Sequence, residues 1–229
     1  MKSTISFINT LIVFLAILMA SSNNTQAQYG NWHKDTIFHG IEFKKIRFRN
    51  DGKESLFAKG ILKHNTIIQG YPCYREIILD KEGNPKQFIL YRRATIAGNE
   101  FEKDTRVVIQ RDGDYSIWCL YEAIVQGYQC KGTSHKRKLF LGLPGSNKLV
   151  LYPGGSLKTF MPVDNIQIQG VWCRSSAFGG PVRLYESGKL KQCTSAREQT
   201  IQGVNVEKDY TLKFNEEGKM VFAEKESFF

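Results

Sequence analysis

Histidine is scarce in this chain: His33, His39, His64 and His135 are the only four, and none of them forms a pair at tetrahedral-site spacing. Five cysteines, at positions 73, 119, 130, 173 and 193, also lack a close pair, so no metal site is expected. A serine or cysteine nucleophile needs a base held within hydrogen-bond reach, and no histidine can be assigned to that role. Glycine-rich loops of the nucleotide-binding kinds are missing, so no cofactor is expected. Acidic residues beside glycines, Asp51, Glu82, Asp112 and Glu217, fit turn chemistry better than paired catalytic carboxylates. The absences together predict a chain that is not an enzyme and has no catalytic residues.

Only one long apolar run exists. Lys2 precedes "ISFINTLIVFLAILMA", and a polar stretch with small residues follows it. That order predicts a secretory signal peptide over residues 1–27, cleaved after Ala27, with an uncleaved anchor as the alternative. Secretion or a periplasmic location follows, with no spanning segment in the mature chain. Lysine and arginine number 32 against 22 acidic residues, and removing Lys2 leaves an excess of nine. Excess positive charge aids solubility and favours anionic partners.

Helical periodicity is absent too, and what replaces it is repetition. "LVLYPGGSLKTF" at 149–160 returns as "VRLYESGKLKQC" at 182–193, within a set of six such segments. Upstream of each lies a second signature: "FHGIEF", "IQGYPC", "IAGNEF", "VQGYQC", "IQGVWC" and "IQGVNV". Its glycines, Gly40, Gly70, Gly98, Gly127, Gly170 and Gly203, are spaced by 30, 28, 29, 43 and 33 residues. Self-similarity at this period marks units that bury their apolar sides against one another.

Within a unit, Ile77 and Leu79, Val182 and Leu184, and Leu212 and Phe214 stand two apart, the period of a half-buried strand. Gly83, Gly113, Gly188 and Gly218 interrupt that period where a positive φ is needed, so each such segment predicts a β-hairpin. The glycine of "IQG" suggests a bulge or a close backbone approach. Two or three short strands per unit are expected. The fold class predicted is all-β: six tandem β-hairpin-type repeats in an elongated or solenoid-like sheet array, over residues 37–229 after a short segment at 28–36. A closed propeller would need longer units.

Cys73, Cys130 and Cys173 fall three residues after their signature glycines, where other units place Phe43, Phe101 and Val206. Alternation between cysteine and bulky apolar residues predicts core positions filled by free thiols. Cys193 matches Phe57, Phe88 and Phe160, while Cys119 is one residue out of phase. A bridge between Cys130 and Cys173 on neighbouring units is the alternative.

The fourth unit carries an insertion at about 131–147, and insertions into repeats fall on loops that often bind. Lys131, His135, Lys136, Arg137 and Lys138, with Arg92 and Arg93, are the candidate basic contacts. Tyr71, Tyr128 and Trp172, close after signature glycines, are candidate aromatic contacts or strand packing. The expected function is an exported, non-enzymatic repeat protein of the envelope or extracellular space that binds a macromolecule, either a protein or an anionic glycan or lipid surface, with nucleic acid a weaker option. The alternative is an envelope polysaccharide hydrolase on a β-repeat scaffold.

"YESGKLKQC" and "NEEGKMVF" resemble the strand, glycine turn and strand of bacterial MORN-variant repeats. The resemblance implies hairpins strung into an elongated sheet with binding or scaffolding roles, an antitoxin-like role among them, and it implies no catalytic residues. The longer period and the "IQG" plus cysteine element depart from that family's motif.

Overall fold

The computed structural model describes residues 29–50, 56–132, 147–175 and 180–225. The expected signal peptide and the insertion residues His135, Lys136, Arg137 and Lys138 lie outside them. Every regular element among the described residues is a strand. The first unit supplies β1 (His33–Phe38), β2 (Ile41–Asn50) and β3 (Leu56–Leu62). The second supplies β4 (Thr66–Ile68), β5 (Tyr71–Cys73), β6 (Glu76–Leu79) and β7 (Pro85–Ile89), and the third β8 (Ala94–Ile96), β9 (Asn99–Phe101), β10 (Arg106–Ile109) and β11 (Tyr115–Trp118). The fourth supplies β12 (Ala123–Val125), β13 (Tyr128–Cys130), β14 (Leu149–Leu151) and β15 (Leu157–Phe160). The fifth supplies β16 (Ile166–Ile168), β17 (Val171–Cys173), β18 (Val182–Leu184) and β19 (Leu190–Thr194). The sixth ends the array with β20 (Gln199–Ile201), β21 (Val204–Val206), β22 (Tyr210–Phe214) and β23 (Met220–Lys225).

Thirteen strands form one open antiparallel sheet in the order β1-β2-β3-β6-β7-β10-β11-β14-β15-β18-β19-β22-β23. At the usual strand separation it spans about 58 Å across the strands. The remaining ten strands form five separate hairpins, one from each of units two to six. The chain is therefore all-β and built of tandem hairpins, as the alternation predicts. It is not a solenoid, because each unit adds its strands beside the previous ones in one sheet instead of coiling back over them. Units two to six have four strands each, not two or three: the signature segments are too short to read as strands until their partners are known. Part of the 28–36 segment also joins the array, since His33 and Lys34 pair with Ile46 and Lys45.

Alternation decides which side is buried. Ile77, Leu79, Phe88, Val107, Ile117, Leu151 and Leu212 point to one face of the sheet and are fully buried. The hairpins cover that face with Ile68, Ile96, Val125, Ile168 and Ile201, and the two layers share one core. Cys73, Cys119, Cys130, Cys173 and Cys193 are all buried and none is in a disulfide, so Cys130 and Cys173 are not bridged. The phase of Cys119 has a simple cause. The hairpins β6–β7, β14–β15, β18–β19 and β22–β23 each contain a bulge, whereas β10–β11 does not. Losing that residue shifts the third unit by one, which turns Ile117 and Cys119 inward.

The "IQG" turns are neither bulges nor close approaches. Gln69 and Gly70 have φ of 48° and 84°, and the pair recurs at Gln169–Gly170 with 49° and 85°. Two successive positive φ values are the type I′ pattern, and a Cβ built on Gly70 or Gly170 meets nothing within 4 Å. The glutamine has its own task. Gln169 Nε2 donates to Gly188 O at 3.4 Å while its Oε1 accepts from Leu190 N at 3.1 Å. Gln126 does the same at Gly155 O and Leu157 N, and Gln202 at Gly218 O and Met220 N. Each clamp ties a covering hairpin to the sheet turn of its own unit. Replacing Gln169 by alanine should cost about 0.5–1.5 kcal/mol in urea unfolding, because it removes the clamp on the Leu190 amide while water reaches the exposed Gly188 carbonyl. The backbone tolerates alanine, since Ala97 occupies the equivalent position at φ 47°.

Candidate anion-binding face

The face of the large sheet that points away from the hairpins is lined by the other half of each strand. Ile78, Val108 and Val150 form a half-buried apolar strip along its middle. Toward β1–β3 the same face becomes cationic. Lys34 stands directly opposite Lys45, and Arg47 directly opposite Lys59. Like charges facing each other across strands are destabilising, by about 0.2–1 kcal/mol each. Arg106, Arg183 and Lys213 continue the charge along the sheet, since Arg183 and Lys213 share the row of Arg47 and Lys59 through successive strand partners. Lys59 is balanced by Glu76 at 2.8 Å. Lys34, Lys45, Arg47 and Arg49 have no ion pair among the described residues.

Two rings organise this end. The Arg47 guanidinium lies 4.2 Å from the Tyr29 ring centroid and 4.6 Å from that of Trp32. Lys45 Nζ is 4.6 Å from the Trp32 ring, and the Arg49 guanidinium 5.6 Å from Tyr29. Backbone pairing holds the segment in place, with Tyr29 bridged to Arg49 and Gly30 N donating to Phe48 O at 2.8 Å. Stacking on a ring orients a guanidinium and leaves its edge donors for a carboxylate, sulfate or phosphate. The Nε atoms of Arg47 and Arg49 are buried without any hydrogen-bond partner. A buried donor without an acceptor is costly and calls for a missing partner.

The residues singled out from sequence are dispersed. Lys131 Nζ donates to Ser175 Oγ at 2.8 Å, so it joins two units. Arg93 engages Glu100 and also Glu102, the latter at 3.6 Å, beside a cleft of about 370 Å³. Arg92 lies over Tyr91 at 5.6 Å. Tyr71 stacks on Phe88 at 4.8 Å, and Tyr128 lies against Phe160 at 5.1 Å, both turned toward the core. Burial, then the neighbouring Tyr115 hydroxyl, pushes Tyr71 up to about 12. Trp172 sits on the other side of its hairpin, with the Arg197 guanidinium 4.3 Å above it. Lys158 is held by the buried carboxylate of Asp114, a hydrogen bond that raises the lysine above its ordinary range.

Sequence reading missed the Tyr29–Trp32–Arg47–Arg49 cluster. "KKIRFRN" at 44–50 carries alternating cations on a strand, which is the available signal, but the ring partners come from the segment before the repeats. Among the described residues no group of histidine, cysteine and carboxylate side chains is arranged to hold a metal. No helix there is long and apolar enough to cross a membrane. Compared with known proteins, the chain matches no family model, no curated protein and no solved structure.

Proposed function

We propose that this chain is an exported, non-enzymatic repeat protein, of MORN-variant-like design, that binds an anionic glycan along the cationic face of its large sheet. The Arg47 and Arg49 guanidinium groups, held on the Tyr29 and Trp32 rings without an ion pair among the described residues, carry the reading. They sit among opposed cations whose repulsion an anion would relieve. A linear polymer suits this surface, because the charges extend along the sheet toward Arg183 and Lys213. The basic insertion of the fourth unit is a second contact in this proposal. Binding is favoured over hydrolysis by the state of the 370 Å³ cleft: of its three carboxylates, Glu100, Glu102 and Glu122, the first two are engaged by Arg93.

Heparin serves as the probe. The full chain should bind it at low ionic strength and lose affinity steeply as salt rises, because the contact is between screened charges. The double variant Arg47→Gln/Arg49→Gln should weaken binding at least about tenfold, a loss of roughly 1.4 kcal/mol or more. Neutralising Lys136, Arg137 and Lys138 measures the insertion's share. Changing the exposed turn lysines Lys189 and Lys208 should leave affinity nearly unaltered. Binding that ignores the double arginine change, or a preference for anionic vesicles over heparin, would refute the glycan reading.

A further inference from the structure

Among the five buried thiols, two are direct neighbours. The Cys173 and Cys193 thiols lie beside each other across the interface between hairpin β16–β17 and the large sheet, with Cys173 Sγ donating to Val171 O at 3.6 Å. The backbones are pinned at the same place. Arg174 N donates to Thr194 O at 2.8 Å, and Cys173 pairs with Ser195 as an isolated antiparallel bridge. The Arg174 guanidinium bonds Asp209, which fixes the end of the hairpin against the next unit. Both cysteines are almost completely inaccessible, at 0% and 2%.

The other units act as internal comparisons. The corresponding positions hold Cys73 and Phe88 in the second unit, Phe101 and Ile117 in the third, and Cys130 and Phe160 in the fourth. In units two to four the sheet position is an aromatic or branched apolar residue, and in the sixth it is Ala223. The fifth unit alone places sulfur on both sides.

We infer that Cys173 and Cys193 form a disulfide when the chain folds in the presence of a disulfide oxidant, joining hairpin β16–β17 covalently to β19. One thiolate attacks the oxidant's disulfide, giving a mixed disulfide and releasing one thiolate. The second cysteine then attacks the mixed disulfide, forming the Sγ–Sγ bond and releasing the other half of the oxidant. The two cysteine protons end on the two released thiols. Two electrons pass from the protein to the oxidant. The neighbouring Cys193 thiol, then burial, keeps Cys173 well above the ordinary thiol range, so the exchange belongs to folding or local opening and not to the closed native state. That an oxidant is met in the cell rests on the proposed export; the chemistry itself can be tested without it.

Reduced full chain is refolded from urea in a buffer of reduced and oxidised glutathione, quenched with an alkylating agent and mapped by mass spectrometry. The expected product is lighter by two hydrogens, carries one Cys173–Cys193 cross-linked peptide, and retains Cys73, Cys119 and Cys130 as thiols. The same glutathione ratio should favour that bond at least about tenfold more in folding buffer than in urea, because the folded core holds the sulfurs together. Cys193→Phe, which copies Phe88 and Phe160, should abolish the cross-link while leaving the four remaining core thiols, Cys173 among them, protected. Five alkylatable thiols after refolding, a dominant Cys130–Cys173 product, or equal yields in urea and in folding buffer would each overturn the inference. Failure of heparin binding would leave this result untouched, so the two proposals stand or fall separately.

Discussion

Replacing Gly155 by alanine should destabilise the protein by about 4 kcal/mol, several times the cost of the same change at Gly188. Both glycines occupy the same place in a sheet hairpin, with φ of 90° and 79°. An alanine at either must adopt a left-handed conformation, which costs about 1 kcal/mol. At Gly188 that is the whole effect, since a Cβ there meets nothing within 4 Å. At Gly155 the Cβ would lie 2.0 Å from the carbonyl oxygen of Ala97, in the turn of the third unit's covering hairpin. Backbone cannot retract as a flexible side chain does. The two layers must separate locally, and the hydrogen bonds from Asn99 Nδ2 and Gln126 Nε2 to Gly155 O, at 2.8 and 2.9 Å, are strained or lost. Urea unfolding of the two variants side by side measures the difference. Equal losses would mean that the third hairpin does not rest on the fourth sheet turn.

Alkaline conditions should unfold the protein through its buried thiols. Desolvation raises both Cys73 and Cys130 from 9.0 to about 12. Below pH 9 both are neutral in the folded and unfolded chains, and their contribution to stability is fully present. Between pH 9 and 12 the unfolded chain releases those protons while the folded core retains them, so stability falls as pH rises. One pKa unit corresponds to about 1.4 kcal/mol, which puts the loss near 4 kcal/mol per thiol by pH 12. The variant Cys73→Val places in the second unit the side chain that the sixth already uses at Val206. Its unfolding free energy should fall by about 1.4 kcal/mol less per pH unit above 9 than that of the parent. Parallel pH curves for the two proteins would show that Cys73 ionises without opening the core.

How much of this was legible beforehand differs by feature. The turn glycines were, because a positive φ in a short loop leaves a local mark: Gly83, Gly113, Gly188 and Gly218 have φ between 79° and 88°. Core cysteines were legible for a similar reason, since repeat alignment compares one position across several units. Cys119 misled because the alignment was anchored on a glycine, while burial depends on whether a bulge intervenes. The role of glutamine in "IQG" was hidden. Its partners, such as Gly188 and Leu190 for Gln169, lie about twenty residues away and become neighbours only when the hairpin folds over the sheet. The cationic face was hidden for the same reason: "KKIRFRN" displays its charges, but not their opposition to Lys34 and Lys59 or the rings of Tyr29 and Trp32.

Sequence by itself determined the strand period, the six units, the positions of the turns and the apolar character of the cysteine sites, because each depends on residues a few places apart. Tertiary structure alone decided that the signature hairpins leave the main sheet and cover it, that the array stays open, which sulfurs touch, and where unpaired guanidinium donors collect. Those outcomes depend on strand register and layer packing, in which a shift of one residue turns every side chain to the opposite face.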